Sequence, residues 1–133
     1  MTSTDTPTLY RLNVEVSDLE QAIPFYTALL GGVGRRQAGA RCYFTCGPVT
    51  LQILDVSDRG PVNPVPKSLY FTVRDLDAVH ERARQLQGLS TEEVHGEPGG
   101  EISVRPWGER SFYADDPWGN SLCFVEAGTV YEG

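Results

Sequence analysis

Two stretches of the chain share one pattern of apolar and polar positions. The first contains Leu12, Val14 and Val16 and then Leu19, Ala22, Ile23, Tyr26 and Leu30; the second contains Leu69, Phe71 and Val73 and then Leu76, Val79, Ala83 and Leu86. Alternation with a period of two predicts a strand, and apolar residues three and four positions apart predict a helix. Each stretch is therefore predicted to form a strand followed by an amphipathic helix.

The ends of the two predicted helices carry matching signals. Asp18 and Asp75 precede the apolar stripes as N-caps, and Gly31 and Gly88 follow them as helix stops. Because these pairs keep the offset of the strands, the chain contains an internal repeat. Pro24 lies within the first stripe; a proline there removes one helix hydrogen bond at a cost of about 3 kcal/mol, so we expect a bend rather than a break.

Three further strand candidates follow each helix. They are Gly34–Gln37, Ala40–Cys46 and Val49–Asp55 in the first copy, and Glu92–His95, a stretch from about Ile102 to Ala114, and Ser121–Glu126 in the second. The sequence therefore predicts an α+β fold, with two β-α-β-β-β modules whose curved sheets surround a shared concave site. The predicted boundaries are a polar tail at 1–8, modules at 9–56 and 68–127, a proline-rich linker at 57–67, and a second tail at 128–133.

Composition narrows the classes of function. The chain has 133 residues, of which 40% are hydrophobic and 22% charged, as in an ordinary globular domain. A net charge of −7 argues against nucleic acid as a partner, and the apolar runs are too short for a membrane span. Three cysteines without zinc spacing, and no signal-peptide pattern, predict a cytoplasmic protein with reduced thiols.

The repeated unit resembles the vicinal oxygen chelate superfamily, which includes glyoxalase I, extradiol dioxygenases, fosfomycin-resistance enzymes and bleomycin-binding proteins. The resemblance rests on the opening segment from Leu12 to Leu19 with Ala22, Phe25 and Tyr26, and on the closing turn Asp116-Pro117-Trp118-Gly119-Asn120. It covers roughly residues 9–126. Members are usually dimers, sometimes with exchanged modules, so the resemblance implies a homodimer.

Enzymes of this superfamily hold a divalent metal with a histidine on the first strand and a glutamate on the last strand of a module. The matching positions here are Arg11, Gln52, Ser68 and Cys123. Arginine has no lone pair to donate and repels a cation, and serine and glutamine are weak neutral donors. A single thiolate does not suit a hard cation. We therefore predict no metal cofactor, and we expect His80 on a helix surface and His95 in an exposed loop.

Strand alternation selects the residues that face the predicted concavity. They are Arg11, Asn13, Glu15, Ser68, Tyr70, Thr72, Tyr113 and Cys123, with Trp107 in a loop over the mouth. The resemblance adds Gln52, which matches a metal position of the family. Tyr113 also matches a ligand-contacting tyrosine of the fosfomycin-resistance enzymes. The set suits a polar aromatic ligand, and the acidic composition is compatible with a cationic one. A purely structural explanation of these residues also remains open, in which Arg11 and Glu15 form a cross-strand charge pair and the aromatic residues pack in the core.

Two classes of function remain open for the concavity, besides a vestigial groove or a protein interface. The favoured hypothesis is a metal-independent protein that sequesters a small polar aromatic molecule. The alternative is a lyase, isomerase or dioxygenase that uses a metal, or Glu15 or Tyr113 as an acid or base. Neither a nucleophile elbow nor a phosphate loop is present in the sequence, and no catalytic residue is assigned.

Overall fold

The computed structural model describes residues 6–133, so most of the predicted N-terminal tail lies outside the described residues. The elements of this part are β1 (Arg11–Val16), α1 (Leu19–Leu30), β2 (Arg35–Gln37), β3 (Arg41–Cys46), β4 (Val49–Asp55), β5 (Leu69–Val73), α2 (Leu76–Gln85), β6 (Glu93–Val94), β7 (Glu97–Pro98), β8 (Ser103–Val104), β9 (Arg110–Asp115), β10 (Ser121–Glu126) and a 3-10 turn (Ala127–Thr129). Neither of its helices is long and apolar enough to cross a membrane.

Two four-stranded sheets have the same topology. Sheet 1 has the order β1-β4-β3-β2 and sheet 2 the order β5-β10-β9-β8. In each, the strand before the helix runs parallel to the last strand, and the other neighbours are antiparallel. The predicted α+β fold of two β-α-β-β-β modules is thereby confirmed.

Both helices begin at the predicted aspartates. The carboxylate of Asp18 accepts a hydrogen bond from the Gln21 backbone N–H at 3.2 Å, and that of Asp75 accepts one from the Ala78 N–H at 3.0 Å. Helix α1 runs without interruption through Pro24 and ends at Gly31, whose φ of 74° lies in the left-handed region.

The predicted stop of the second helix is wrong by one residue. Helix α2 ends at Gln85, and the left-handed residue is Gln87, with a φ of 57°. Gly88 instead lies where two chain segments pack closely, because a Cβ at this position would lie 3.2 Å from the Asp115 carbonyl oxygen. A short contact between chain segments, rather than a helix cap, explains this glycine.

The predicted strands of the second module need two corrections. Segment 92–95 does not join sheet 2: β6 pairs with β7 in a separate hairpin, in which His95 and Gly96 have φ values of 52° and 79°. Positive φ at both central residues is typical of a tight two-residue hairpin turn. The stretch from 102 to 114 forms two strands, because Pro106 and Gly108, with a φ of 97°, turn the chain between β8 and β9.

One hydrophobic core joins the two modules. It contains Val14, Leu51 and Ile53 of sheet 1, Phe112, Leu122 and Phe124 of sheet 2, and the apolar sides of both helices, including Tyr26 and Val79. The rings of Phe112 and Phe124 stack at 5.4 Å. His80 is half-buried rather than on the surface, since its Nε2 lies 2.9 Å from the Gly100 oxygen. His95 is exposed, as predicted.

A buried polar network fixes the closing turn against the first module. Asp116 Oδ2 accepts hydrogen bonds from the Tyr26 hydroxyl and the Asn120 side-chain amide, both at 2.7 Å. The Asn120 amide also donates to the Glu15 carbonyl oxygen at 2.9 Å, and its oxygen accepts from the Val65 N–H at 2.9 Å. Helix α1, strand β1 and the linker are thus held by one turn of the second module.

Candidate functional site

The side of sheet 1 that faces away from the core carries a row of polar side chains. Asn13, Gln52 and Tyr43 are direct neighbours on β1, β4 and β3, and we call them row 1. The Gln52 amide donates to Asn13 Oδ1 at 2.9 Å, and the Arg41 guanidinium donates to Gln52 Oε1 at 3.3 Å. Because both ends of its amide are bonded, Gln52 is held in one orientation, which fixes the polar surface of the row.

Arg11 lies at the end of row 1 between two aromatic rings. Its guanidinium carbon is 5.2 Å from the ring centroid of Tyr10 and 5.2 Å from that of Tyr43. This geometry is a cation–π arrangement, which leaves the N–H donors at the edge of the guanidinium free. Within residues 6–133, no hydrogen bond or ion pair engages Arg11. Arg11 can therefore donate hydrogen bonds to a ligand.

Glu15 does not form the cross-strand charge pair that the structural explanation requires. Its Oε1 accepts a hydrogen bond from the Asn63 backbone N–H at 3.0 Å, so the carboxylate holds the linker. Glu15 is half-buried, while Arg11 at the other end of β1 is exposed. The charged side chains of Arg11 and Glu15 thus contact different residues.

Sheet 2 carries the equivalent row. Tyr70, Cys123 and Tyr113 are direct neighbours on β5, β10 and β9, and we call them row 2. The two tyrosine hydroxyls are 3.3 Å apart, and the rings meet edge to face at 6.4 Å. Burial raises the pKa of the Cys123 thiol to about 11, and burial, followed by the Tyr70 hydrogen bond, raises the pKa of Tyr113. Both groups are therefore protonated at neutral pH.

On the side of sheet 2 that carries row 2 lies a buried cation, Arg105, which the sequence analysis missed. Its guanidinium carbon is 5.3 Å from the Tyr113 ring centroid, and its Nε donates to Ser111 Oγ at 2.9 Å. The side chain is fully buried, and Nη1 lies 3.6 Å from the carboxylate of Glu97 on β7. The β6–β7 hairpin is thus attached to sheet 2 through Arg105.

Trp107 lies in the turn between β8 and β9. Its indole N–H donates to Glu109 Oε1 at 2.7 Å, and its ring meets His95 edge to face at 4.9 Å. Ser68, the remaining predicted residue, lies beside row 2 with its hydroxyl 2.7 Å from that of Ser121. Trp107 and Ser68 are thus held by their own neighbours, and no hydrogen bond or aromatic contact among residues 6–133 joins either of them to row 1.

The four residues at the family's metal positions do not fit a metal ion. Gln52 uses both ends of its amide, Ser68 is bonded to Ser121, and the Cys123 thiol is protonated. Arg11 would repel a cation. In residues 6–133, His, Cys, Asp and Glu side chains form no group of three or more that could hold an ion.

The structure does not bring all the predicted residues together. Row 1 and row 2 lie on separate sheets, and no hydrogen bond or aromatic contact between described residues connects them. Tyr43 and Arg41 were missed, although the alternation of β3 could have revealed them, since Tyr43 occupies in sheet 1 the place of Tyr113 in sheet 2. Arg105 had no such signal, because its burial depends on the hairpin that covers it.

Comparison with known proteins gives one consistent result. The sequence profile of the glyoxalase/bleomycin resistance protein/dioxygenase superfamily matches residues 8–124. None of the curated protein sequences matches the chain.

Solved structures extend this likeness over nearly the whole chain. "Oxidase ChaP-H2" is 26% identical, with a TM-score of 0.75, over 97% of this chain and 100% of its own. A glyoxalase/bleomycin resistance protein from Albidiferax ferrireducens T118 is 27% identical, with a TM-score of 0.72, over 89% and 98%. A lactoylglutathione lyase from Agrobacterium tumefaciens shares the fold at 24% identity, with a TM-score of 0.63, over 92% and 95%.

Proposed function

We propose that this chain, which belongs to the glyoxalase/bleomycin resistance protein/dioxygenase superfamily, binds a small polar aromatic molecule without a metal ion. The observation that carries the proposal is the guanidinium of Arg11, held between two tyrosine rings and without a hydrogen bond to any residue of 6–133, next to the fixed amide of Gln52. A flat ligand can stack on the same aromatic surface and accept hydrogen bonds from Arg11.

The charges on this face favour an electron-rich or anionic ligand over a cationic one. Arg11 and Arg41 place two positive charges beside row 1, and the carboxylate of Glu15 is engaged by the Asn63 N–H. The net charge of −7 belongs to the whole surface and does not describe this site. A phenolate or aromatic carboxylate fits the local charge best.

We further propose that the protein acts as a homodimer in the cytoplasm, where its three free thiols stay reduced. Strands β1 and β5 each end their sheet, so each has one unpaired edge. Tyr10, next to β1, and Tyr70, on β5, are 64% and 59% exposed. A second copy packed against these edges would cover the two tyrosines.

Calorimetric titration with three matched probes tests the proposal: 2-naphthoate, 2-naphthol and a naphthylmethylammonium salt. We expect naphthoate to bind best, an excess of chelator to have no effect, and Arg11→Met to weaken naphthoate binding by about tenfold. Arg59→Met is the matched control, since Arg59 is exposed and its ion-pair neighbour is Asp58. Strongest binding of the cation, or equal effects of the two variants, would contradict the proposal.

A second candidate is an enzyme, favoured by two solved structures named as oxidases, which share 26% and 27% identity with nearly the whole chain. The measurement that separates the candidates is elemental analysis of the purified protein. Stoichiometric metal, together with turnover that a chelator abolishes, would establish the enzyme and exclude metal-free binding. In an enzyme without metal, Tyr113 can serve only as an acid, because its pKa is raised, and Glu15 is the candidate base.

A further inference from the structure

A cavity lies on the core side of the two sheets, between the two modules. Its volume is about 810 Å³. Its walls are mainly apolar, and include Leu12, Phe44 and Leu51 of the first module and Leu69, Phe71 and Phe124 of the second. These side chains lie on the core side of their strands, opposite to rows 1 and 2. Tyr70 of row 2 and Ser68 also reach the wall of this cleft, but Arg11 and the residues of row 1 do not line it. The cleft is therefore separate from the row 1 site proposed above.

Arg82 is the one charged residue among the described residues that line this cleft. Its Nη2 donates to the Leu29 carbonyl oxygen at 3.1 Å, at the end of helix α1, where the helix has no basic residue of its own. This contact gives one nitrogen of the guanidinium a structural role, because a cation stabilises a helix C-terminus.

In the part of the chain that the structure describes, the rest of the Arg82 guanidinium has no hydrogen-bond partner. Its Nε is buried without a hydrogen bond, and no carboxylate in residues 6–133 forms an ion pair with Arg82. By contrast, Arg84 on the same helix pairs with Glu81 and is exposed. An unpaired cation at the wall of an apolar cleft is complementary to an anion attached to an apolar body.

We propose that this cleft binds an amphipathic organic anion, with its carboxylate on Arg82 and its apolar chain against the leucine and phenylalanine side chains. The apolar walls supply affinity by burying the chain of the ligand. The guanidinium supplies selectivity for the charged head group. The inference does not depend on the ligand proposed for row 1, because neither Arg11 nor any residue of row 1 lines the cleft.

The test uses decanoate as the probe, and decanol as its neutral analogue, in calorimetric titrations of the full chain. We expect decanoate to bind one site per chain, and Arg82→Gln to weaken it by about tenfold while decanol binding stays unchanged. Unchanged decanol binding shows that the variant is folded with its cleft intact. Arg84→Gln is the matched control on the same helix and should bind both probes as the parent chain does.

A second variant fills the cleft. Gly32 lines it, and a Cβ there would meet no heavy atom within 4 Å, so Gly32→Phe should fold and lose both probes. Arg11→Met should leave decanoate binding unchanged, which separates this proposal from the preceding one. Decanoate binding that is equal in the parent and Arg82→Gln chains would overturn it. So would sedimentation showing that Gly32→Phe dissociates a dimer, since the cleft would then be an interface between copies.

Discussion

Removing the hydroxyl group of Tyr26 is the most direct test of how the two modules are held together. Tyr26 is fully buried, and its hydroxyl donates to Asp116 Oδ2 at 2.7 Å. The same carboxylate accepts from the Trp118 N–H at 2.9 Å, the Asn120 N–H at 2.8 Å and the Asn120 amide at 2.7 Å. Tyr26→Phe therefore removes one of four donors and leaves the ring packing intact.

The expected loss of stability follows from this count of donors. A buried carboxylate with no partner left would cost about 3–5 kcal/mol. Three donors remain on Asp116, so the loss should be that of one hydrogen bond to a charged group, about 2 kcal/mol. For a chain of this size, that corresponds to a fall in Tm of about 6–10 °C.

Chemical denaturation of the parent and Tyr26→Phe chains, followed by circular dichroism, measures this difference. Tyr131→Phe is the control, because Tyr131 is 61% exposed and its hydroxyl has no partner among the described residues. A double-mutant cycle with Asp116→Ala should show that the two losses are less than additive. A loss below about 0.5 kcal/mol for Tyr26→Phe, the range of ordinary surface substitutions, would refute the reasoning.

Two further predictions concern a thiol and a glycine. Because the pKa of Cys123 is raised to about 11 in the folded chain, the unfolded chain loses that proton first as pH rises from about 9. Stability should therefore fall between about pH 9 and 11, and less steeply in Cys123→Ala, as measured by denaturation across that range; an equal slope in both chains would contradict this. Gly34→Ala would place a Cβ 2.6 Å from the Cys42 sulfur, so it should lower stability by about 1–3 kcal/mol in thermal unfolding, whereas Gly32→Ala, which meets open space, should not. Equal stability of the two alanine variants would show that the sulfur moves aside freely.

The sequence predicted much of the first module because its signals are local. The alternation of Leu12, Val14 and Val16 placed Arg11 and Asn13 on the opposite side of β1, and the structure has the same arrangement. The aspartate caps needed only residues three positions away. Such local signals fail where the same residue types are compatible with more than one structure. Residues 92–95 have the composition of a strand, but positive φ at His95 and Gly96 turns them into a hairpin outside sheet 2.

The sequence by itself therefore determined the duplicated unit, the helix caps and the side of the first strand on which polar residues lie. Each of these depends on neighbours a few positions apart and on the periods of strands and helices. Only the tertiary structure decided what those residues contact: Arg11 between Tyr10 and Tyr43, Arg105 under the β6–β7 hairpin, and Arg82 at the wall of the cleft. These contacts join residues from different elements, and their geometry is set by how the two modules pack, which no local pattern encodes.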